Sequence, residues 1–142
     1  MLARRELSEA QVRERLARRG HASDQIDDAI ARLRDQGAID DARAAQAIAR
    51  AEAGRRRRGR VRVARQIARA GIAGAAARRA VDEVYEDVDE DALLEAALRS
   101  RLRDREPPGV DDREFGRLYR YLTGQGFDSD KVIRALKALK GR

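Results

Sequence analysis

Three glycines, Gly20, Gly71 and Gly126, stand in a common apolar register, and this pattern restricts the fold more than any other feature of the chain. Four residues before each glycine lies an aliphatic side chain (Leu16, Ile67, Leu122), and eight before lies another (Val12, Val63, Leu118). After the glycines, Ile26, Ala77 and Val132 share one column and Ala29, Ala80 and Ala135 a second. Ile30, Val81 and Leu136 form a third, and Leu33, Val84 and Leu139 a fourth. The spacing before each glycine puts one apolar stripe on a helix, and the spacing after it puts a matching stripe on the next. Glycine between them ends the first helix in the left-handed conformation at little cost. Each unit therefore reads as helix, glycine turn, helix.

A further helix precedes each pair, over roughly Leu2 to Glu6, Asp41 to Ala53 and Glu90 to Arg105. The reading is an all-α chain of three tandem three-helix repeats, residues 1–39, 40–88 and 89–142, in an elongated, curved array. Capping residues follow the same register. Ser8 with Gln11 and Asp111 with Glu114 have capping-box spacing, and Ser23, Asp40 and Asp128 occupy N-cap positions. The prolines, Pro107 and Pro108, fall in a helix-breaking loop, Glu106 to Gly109. No run of alternating β-branched residues reads as a strand.

Composition limits how such units hold together. Aromatic residues make up only 4% of the chain, so burial rests on Ala, Leu, Ile and Val, each removing modest apolar area from water. This predicts thin cores and stability that differs between units. Cysteine is absent, which excludes disulfides and thiolate metal sites. No apolar run reaches membrane-spanning length, and the charged N-terminus lacks a secretory apolar stretch. The expectation is a cytoplasmic protein, and with no long exposed apolar stripe, a monomer.

The charge is more telling in its placement than in its net value of +7. Ten arginines and no acid lie between Glu52 and Asp82, and eight acids and no base follow from Asp82 to Leu98. Such a concentrated field attracts polyanions. Arg55, Arg56, Arg57 and Arg58 are expected in a loop, and Arg60, Arg62, Arg65 and Arg69 open or lie along a helix. There Arg62, Arg65 and Arg69 share one face while Val63 and Ile67 point inward. Guanidinium groups bind phosphate in bidentate fashion and stay charged at any working pH. The eight are candidate contacts to a nucleic-acid backbone or to acidic protein surface, against the plainer reading of a solvated loop. Phosphate contacts position a protein without reading sequence.

Other features invite chemistry less. Phe115, Leu118, Tyr119 and Leu122 follow a core stripe, whereas Tyr121, beside Arg117 and Arg120, points elsewhere; these three are weaker contact candidates. The acidic stretch from Asp82 to Asp91 lacks a calcium-loop pattern and reads as an exposed polar end. The segments Asp24 to Asp35 and Ala75 to Glu86, in the place of recognition helices, are acidic or mixed in charge and would meet phosphate badly. His21 has no catalytic or metal-ligand partner and reads as a packing residue. No phosphate loop, nucleophile elbow or second histidine is present, so no enzyme, cofactor or metal is expected.

Several of these segments resemble the RecX family of recombinase regulators. They are Ala3-Arg4-Arg5-Glu6-Leu7-Ser8 with Val12, Leu16 and Arg18-Arg19-Gly20; Leu33 with Gly37-Ala38-Ile39-Asp40-Asp41-Ala42-Arg43; Ile67 to Ile72; and Leu118 to Leu122 with Gly126-Phe127-Asp128 and Val132. The chain departs from the family pattern at Ala44 and His21, where aromatic residues are usual, and in the arginine run before Gly59. The resemblance implies three-helix repeats and a non-catalytic regulator that binds the RecA filament on single-stranded DNA. It implies suppression of RecA ATP hydrolysis, filament growth and strand exchange. The alternative from the residues themselves is a general nucleic-acid-binding module that needs no RecA, and a pure structural adaptor is a third reading.

Overall fold

A computed structural model describes residues 6–103 and 110–140. Among the described residues, all regular structure is helical: α1 (Glu9–Arg18), α2 (Ser23–Asp35), α3 (Asp41–Arg50), a π turn (Ala51–Arg55), α4 (Arg60–Arg69), α5 (Gly74–Glu86), α6 (Glu90–Leu102), α7 (Asp112–Gly124) and α8 (Ser129–Lys140). The expected helix over Leu2 to Glu6, Glu6 apart, and the loop Glu106 to Gly109 lie outside the described residues.

The three glycine turns are the same structure three times. Gly20, Gly71 and Gly126 have φ of 88°, 80° and 102°, in the left-handed region. In each turn the amide after the glycine donates to the carbonyl four residues before it: His21 to Leu16, Ile72 to Ile67 and Phe127 to Leu122, at 3.2, 3.3 and 3.2 Å. Each glycine amide bonds one turn back, to Ala17, Ala68 or Thr123. These paired bonds satisfy carbonyls the helix end would otherwise leave open. Gly37, at φ 71°, ends α2 by the same device, with Ala38 donating to Leu33.

The N-caps agree with the sequence at most positions. Ser8 makes the full capping box with Gln11, Asp40 accepts from the Arg43 amide, and Asp111 accepts from that of Glu114. Asp128 accepts from the amides of Asp130 and Lys131. Ser23 is a correction: it is the first helical residue, and the N-cap is Ala22, whose amide donates to the Gln25 side chain. The helix expected to run to Ala53 stops at Arg50 and passes into the π turn, whose wider winding brings the consecutive residues Glu52 and Ala53 inside. Helix α6 ends at Leu102, where Arg103 takes φ 39°.

Among the described residues, buried apolar side chains fall into three clusters. Ile26, Ile30 and Ile39 form the first, with Val12, Leu16 and Leu33 against them. The second joins Ala44, Ala45, Ala49 and Ala53 to Val63, Ile67, Ile72, Val81 and Tyr85. The third gathers Leu94, Leu98 and Leu102 with Leu118, Leu122, Phe127, Val132 and Leu136, and Phe115 and Tyr119 pack on it as their spacing predicts. Alanine dominates one face of α3, so that helix approaches α4 and α5 closely, and Ala44 is fully enclosed where an aromatic was the family expectation. Burying a Leu, Ile or Val side chain contributes roughly 1.5–3 kcal/mol, so clusters this size are each modest. His21 departs from the packing role expected for it: Ile72 and Phe127 are buried in the equivalent place, but His21 is exposed because the small first cluster does not reach it.

Joints at the helix caps link the units, through side chains at the first and backbone at the second. At the first, the buried Ser8 hydroxyl donates to the Ala70 carbonyl, the Glu9 amide donates to Asp41 Oδ1 at 2.9 Å, and Ala10 lies against Gly71. At the second, the Gly59 amide donates to Gln125 O at 2.9 Å and the Val61 amide to Gly126 O at 3.1 Å. Ser8 and Gly59 both stand twelve residues before their own glycine, and Ala70 and Gln125 both directly precede the next. The two joints are therefore equivalent: the N-cap of one helix is bonded to the C-cap of its counterpart in the following unit.

Candidate functional site

The arginine run of the second unit divides by what each side chain touches. The π turn and the irregular segment after it place Arg55 to Arg58, and α4 places the rest. Arg55 thus ends the π turn and is not a loop residue, as the spacing alone suggests. Arg55, Arg57, Arg65 and Arg69 are exposed, and among the described residues their side chains make no ion pair or hydrogen bond. Arg57 holds φ 53°, so the run bends sharply between its neighbours.

The other four are engaged within the protein. Arg56 pairs with the buried carboxylate of Glu52 at 3.1 Å. Arg58, whose side chain is only 21% exposed, donates to the Gln125 amide oxygen and has Nε 4.0 Å from the second Glu52 oxygen. Arg60 pairs with Asp82 at 2.8 Å and Glu90 at 3.5 Å, with its guanidinium 5.6 Å from the Tyr85 ring centre. Arg62 donates to the Gly124 carbonyl at 2.9 Å and is half-buried. The expected common face of Arg62, Arg65 and Arg69 is thus exposed at Arg65 and Arg69, while Arg62 reaches across the second joint.

Tyr85 supports this arrangement from below. Its hydroxyl donates to the Arg58 carbonyl at 2.5 Å. Burial pushes its phenol well above the ordinary tyrosine range, Glu90 and Glu52 add to the shift, and Arg60 opposes it. The phenol stays protonated and remains a donor.

Of the exposed set, Arg69 borders an open groove of about 350 Å³ between the first and second units, lined also by Gln11, Ile48, Glu52, Arg56 and Gln66. Arg56 and Arg69 therefore address one concave surface, flanked by two neutral amide side chains. In the third unit Arg117 and Arg120 are exposed on α7. Tyr121 does not point away from the core as its spacing suggests: it is half-buried against the third cluster, and its ring carries the Arg101 guanidinium 3.6 Å from its centre, a cation–π contact that occupies the face a stacked base would need. Arg101 is a partner that spacing along α7 could not reveal, because it comes from α6.

The acidic residues serve structure where the geometry shows a role. Asp40 caps α3, Asp41 caps α1 from across the first joint, and Asp89 caps α6. Among the described residues, no group of three or more His, Cys, Asp or Glu side chains converges closely enough to hold a metal ion, and no helix is long and apolar enough to cross a membrane.

The sequence is similar to known proteins of one family. The family model for the first three-helix domain of RecX matches residues 1–33. Regulatory protein RecX of Chromohalobacter salexigens is 34% identical over 136 residues, covering 96% of this chain and 86% of that protein. The protein of the same name from Syntrophotalea carbinolica is 33% identical over 129 residues, covering 91% and 84%. That from Halorhodospira halophila is 34% identical over 138 residues, covering 97% and 83%.

Proposed function

This chain belongs to the RecX family of regulatory proteins, and on that premise we propose that it binds the RecA filament on single-stranded DNA and suppresses RecA ATP hydrolysis, filament growth and strand exchange. The observation that supports this reading is the set Arg55, Arg57, Arg65 and Arg69: exposed, without internal partners among the described residues, and carried on one unit. Arginines held in this way lose little on meeting phosphate or carboxylate, because no existing ion pair has to break. The units of residues 1–39, 40–88 and 89–142 lie side by side along the filament and bridge neighbouring RecA subunits. Bridging biases subunit packing against nucleotide turnover and needs no cofactor. The protein works as a monomer in the cytoplasm.

The test is RecA ATP hydrolysis on single-stranded DNA, titrated with this protein and with an R55Q/R57Q/R65Q/R69Q variant at moderate salt. Loss of turnover well below one molecule per RecA, relieved in the variant, is the expected result. Suppression only when the DNA itself is saturated would overturn it in favour of a nucleic-acid module that acts without RecA. Equal potency of the variant would remove the four arginines from the role.

A further inference from the structure

The equivalence of the two joints has a geometric result. The N-cap of α1 is bonded to the C-cap of α4, and the N-cap of α4 to the C-cap of α7, so the three helices follow one another head to tail. Within each helix, the residues two, six and nine positions before the unit's glycine lie on one face. In α4 these are Arg69, Arg65 and Arg62, and in α7 they are Gly124, Arg120 and Arg117. The contact between Arg62 and Gly124 is where one set meets the next. Gln11 and Arg69, the corresponding pair at the first joint, line the same groove.

From this register we propose that Arg69, Arg65 and Arg62 of α4 and Arg120 and Arg117 of α7 form one basic track for the sugar–phosphate backbone of single-stranded nucleic acid. The proposal rests on the filament reading above and extends it, because the contact surface runs on from the second unit into the third. Arg65, Arg69, Arg117 and Arg120 are exposed, and Arg62 marks the crossing between the helices. Each helix contributes seven residues of rise between its outer positions, about 10 Å at roughly 1.5 Å per residue. Neither helix places a carboxylate at these positions. In α1 the same places hold Arg18, Glu14 and Gln11, and Glu14 pairs with Arg18. The track therefore stops at the first unit, where a carboxylate replaces the arginine of the other two.

The experiment is equilibrium binding of the full chain to a labelled oligothymidylate across a salt series. Each phosphate contact on a single strand contributes about 0.7 to the slope of log affinity against log salt. An R117A/R120A variant is expected to flatten the slope by about 1.4, as R65A/R69A does, and R117K/R120K to restore it. Reversal of the blocking charge, E14R, is expected to tighten binding and steepen the slope by up to about 0.7. R78A/R79A, on exposed arginines of α5 outside the row, is the control and leaves the slope unchanged. A wild-type slope in R117A/R120A, with its helical content and melt intact, would overturn the track while RecA suppression by the wild type keeps the broader function standing. No binding of the oligonucleotide by the wild type would overturn the track and DNA contact together.

Discussion

Gly59 and Gly126 meet backbone to backbone at the joint between the second and third units. A methyl group on Gly59 would lie 2.7 Å from the Phe127 amide nitrogen and closer still to the Gly126 carbonyl. Gly59 has φ −79°, which any residue adopts, so contact, and not conformation, requires glycine there. G59A is expected to cost about 1–3 kcal/mol, typical of overpacking a filled site. G54A, in the π turn with open space around it, is expected to be neutral or to stabilise by up to about 1 kcal/mol. Urea unfolding of both variants checks this, and equal stabilities would contradict the close contact.

Ser8 does two things with one oxygen. It accepts from the Gln11 amide at 3.1 Å and donates to the Ala70 carbonyl, in a fully buried position. S8A removes the cap and strands a carbonyl at the first joint, for an expected loss of about 1–2 kcal/mol. Hydrogen exchange at Gln11 reports the effect directly: its amide loses its side-chain acceptor and should exchange faster, whereas amides of α7 should not change.

Arg57 and Arg58 are neighbours with opposite duties. R58A breaks the contact to Gln125 and removes one of two guanidinium groups beside buried Glu52, so a loss of roughly 1.5–3 kcal/mol is expected. R57G relieves a positive φ and leaves stability unchanged or slightly raised, yet removes a free charge and should weaken DNA binding. Thermal melts and oligonucleotide titrations of the two variants should therefore rank them in opposite orders.

Acid should loosen the first unit through Glu9. Its carboxyl is held below the ordinary value of 4.5 chiefly by the hydrogen bond from Arg34 at 2.7 Å; burial opposes this, and the Arg34 charge and the Arg13 contacts add smaller lowering effects. A carboxyl with a lowered folded pKa contributes stability that is complete above its unfolded value and fades as pH falls through the folded one. E9Q should lower stability at neutral pH and flatten the decline below about pH 4.5. Unfolding midpoints between pH 6 and 3 check this; parallel curves for the two proteins would count against the Glu9–Arg34 pair.

The helical units, the left-handed glycines and the inward columns are legible from residue spacing alone. These depend on the 3.6-residue period and on backbone conformations open to glycine, which act over one or two turns of chain. Ile30, Ile67, Leu122 and Leu136, each chosen by spacing alone, are fully buried. Which arginines are free depends instead on contacts between distant segments. Arg58 reaches Gln125 across 67 residues and Arg62 reaches Gly124 across 62, and Tyr121 is covered by an arginine from another helix. A guanidinium on an exposed helix face looks the same in sequence whether it meets solvent or the carbonyl of a distant turn. That difference arises only when the joint brings the two segments together, because hydrogen bonding needs a partner within about 3 Å and local pattern carries no such distance.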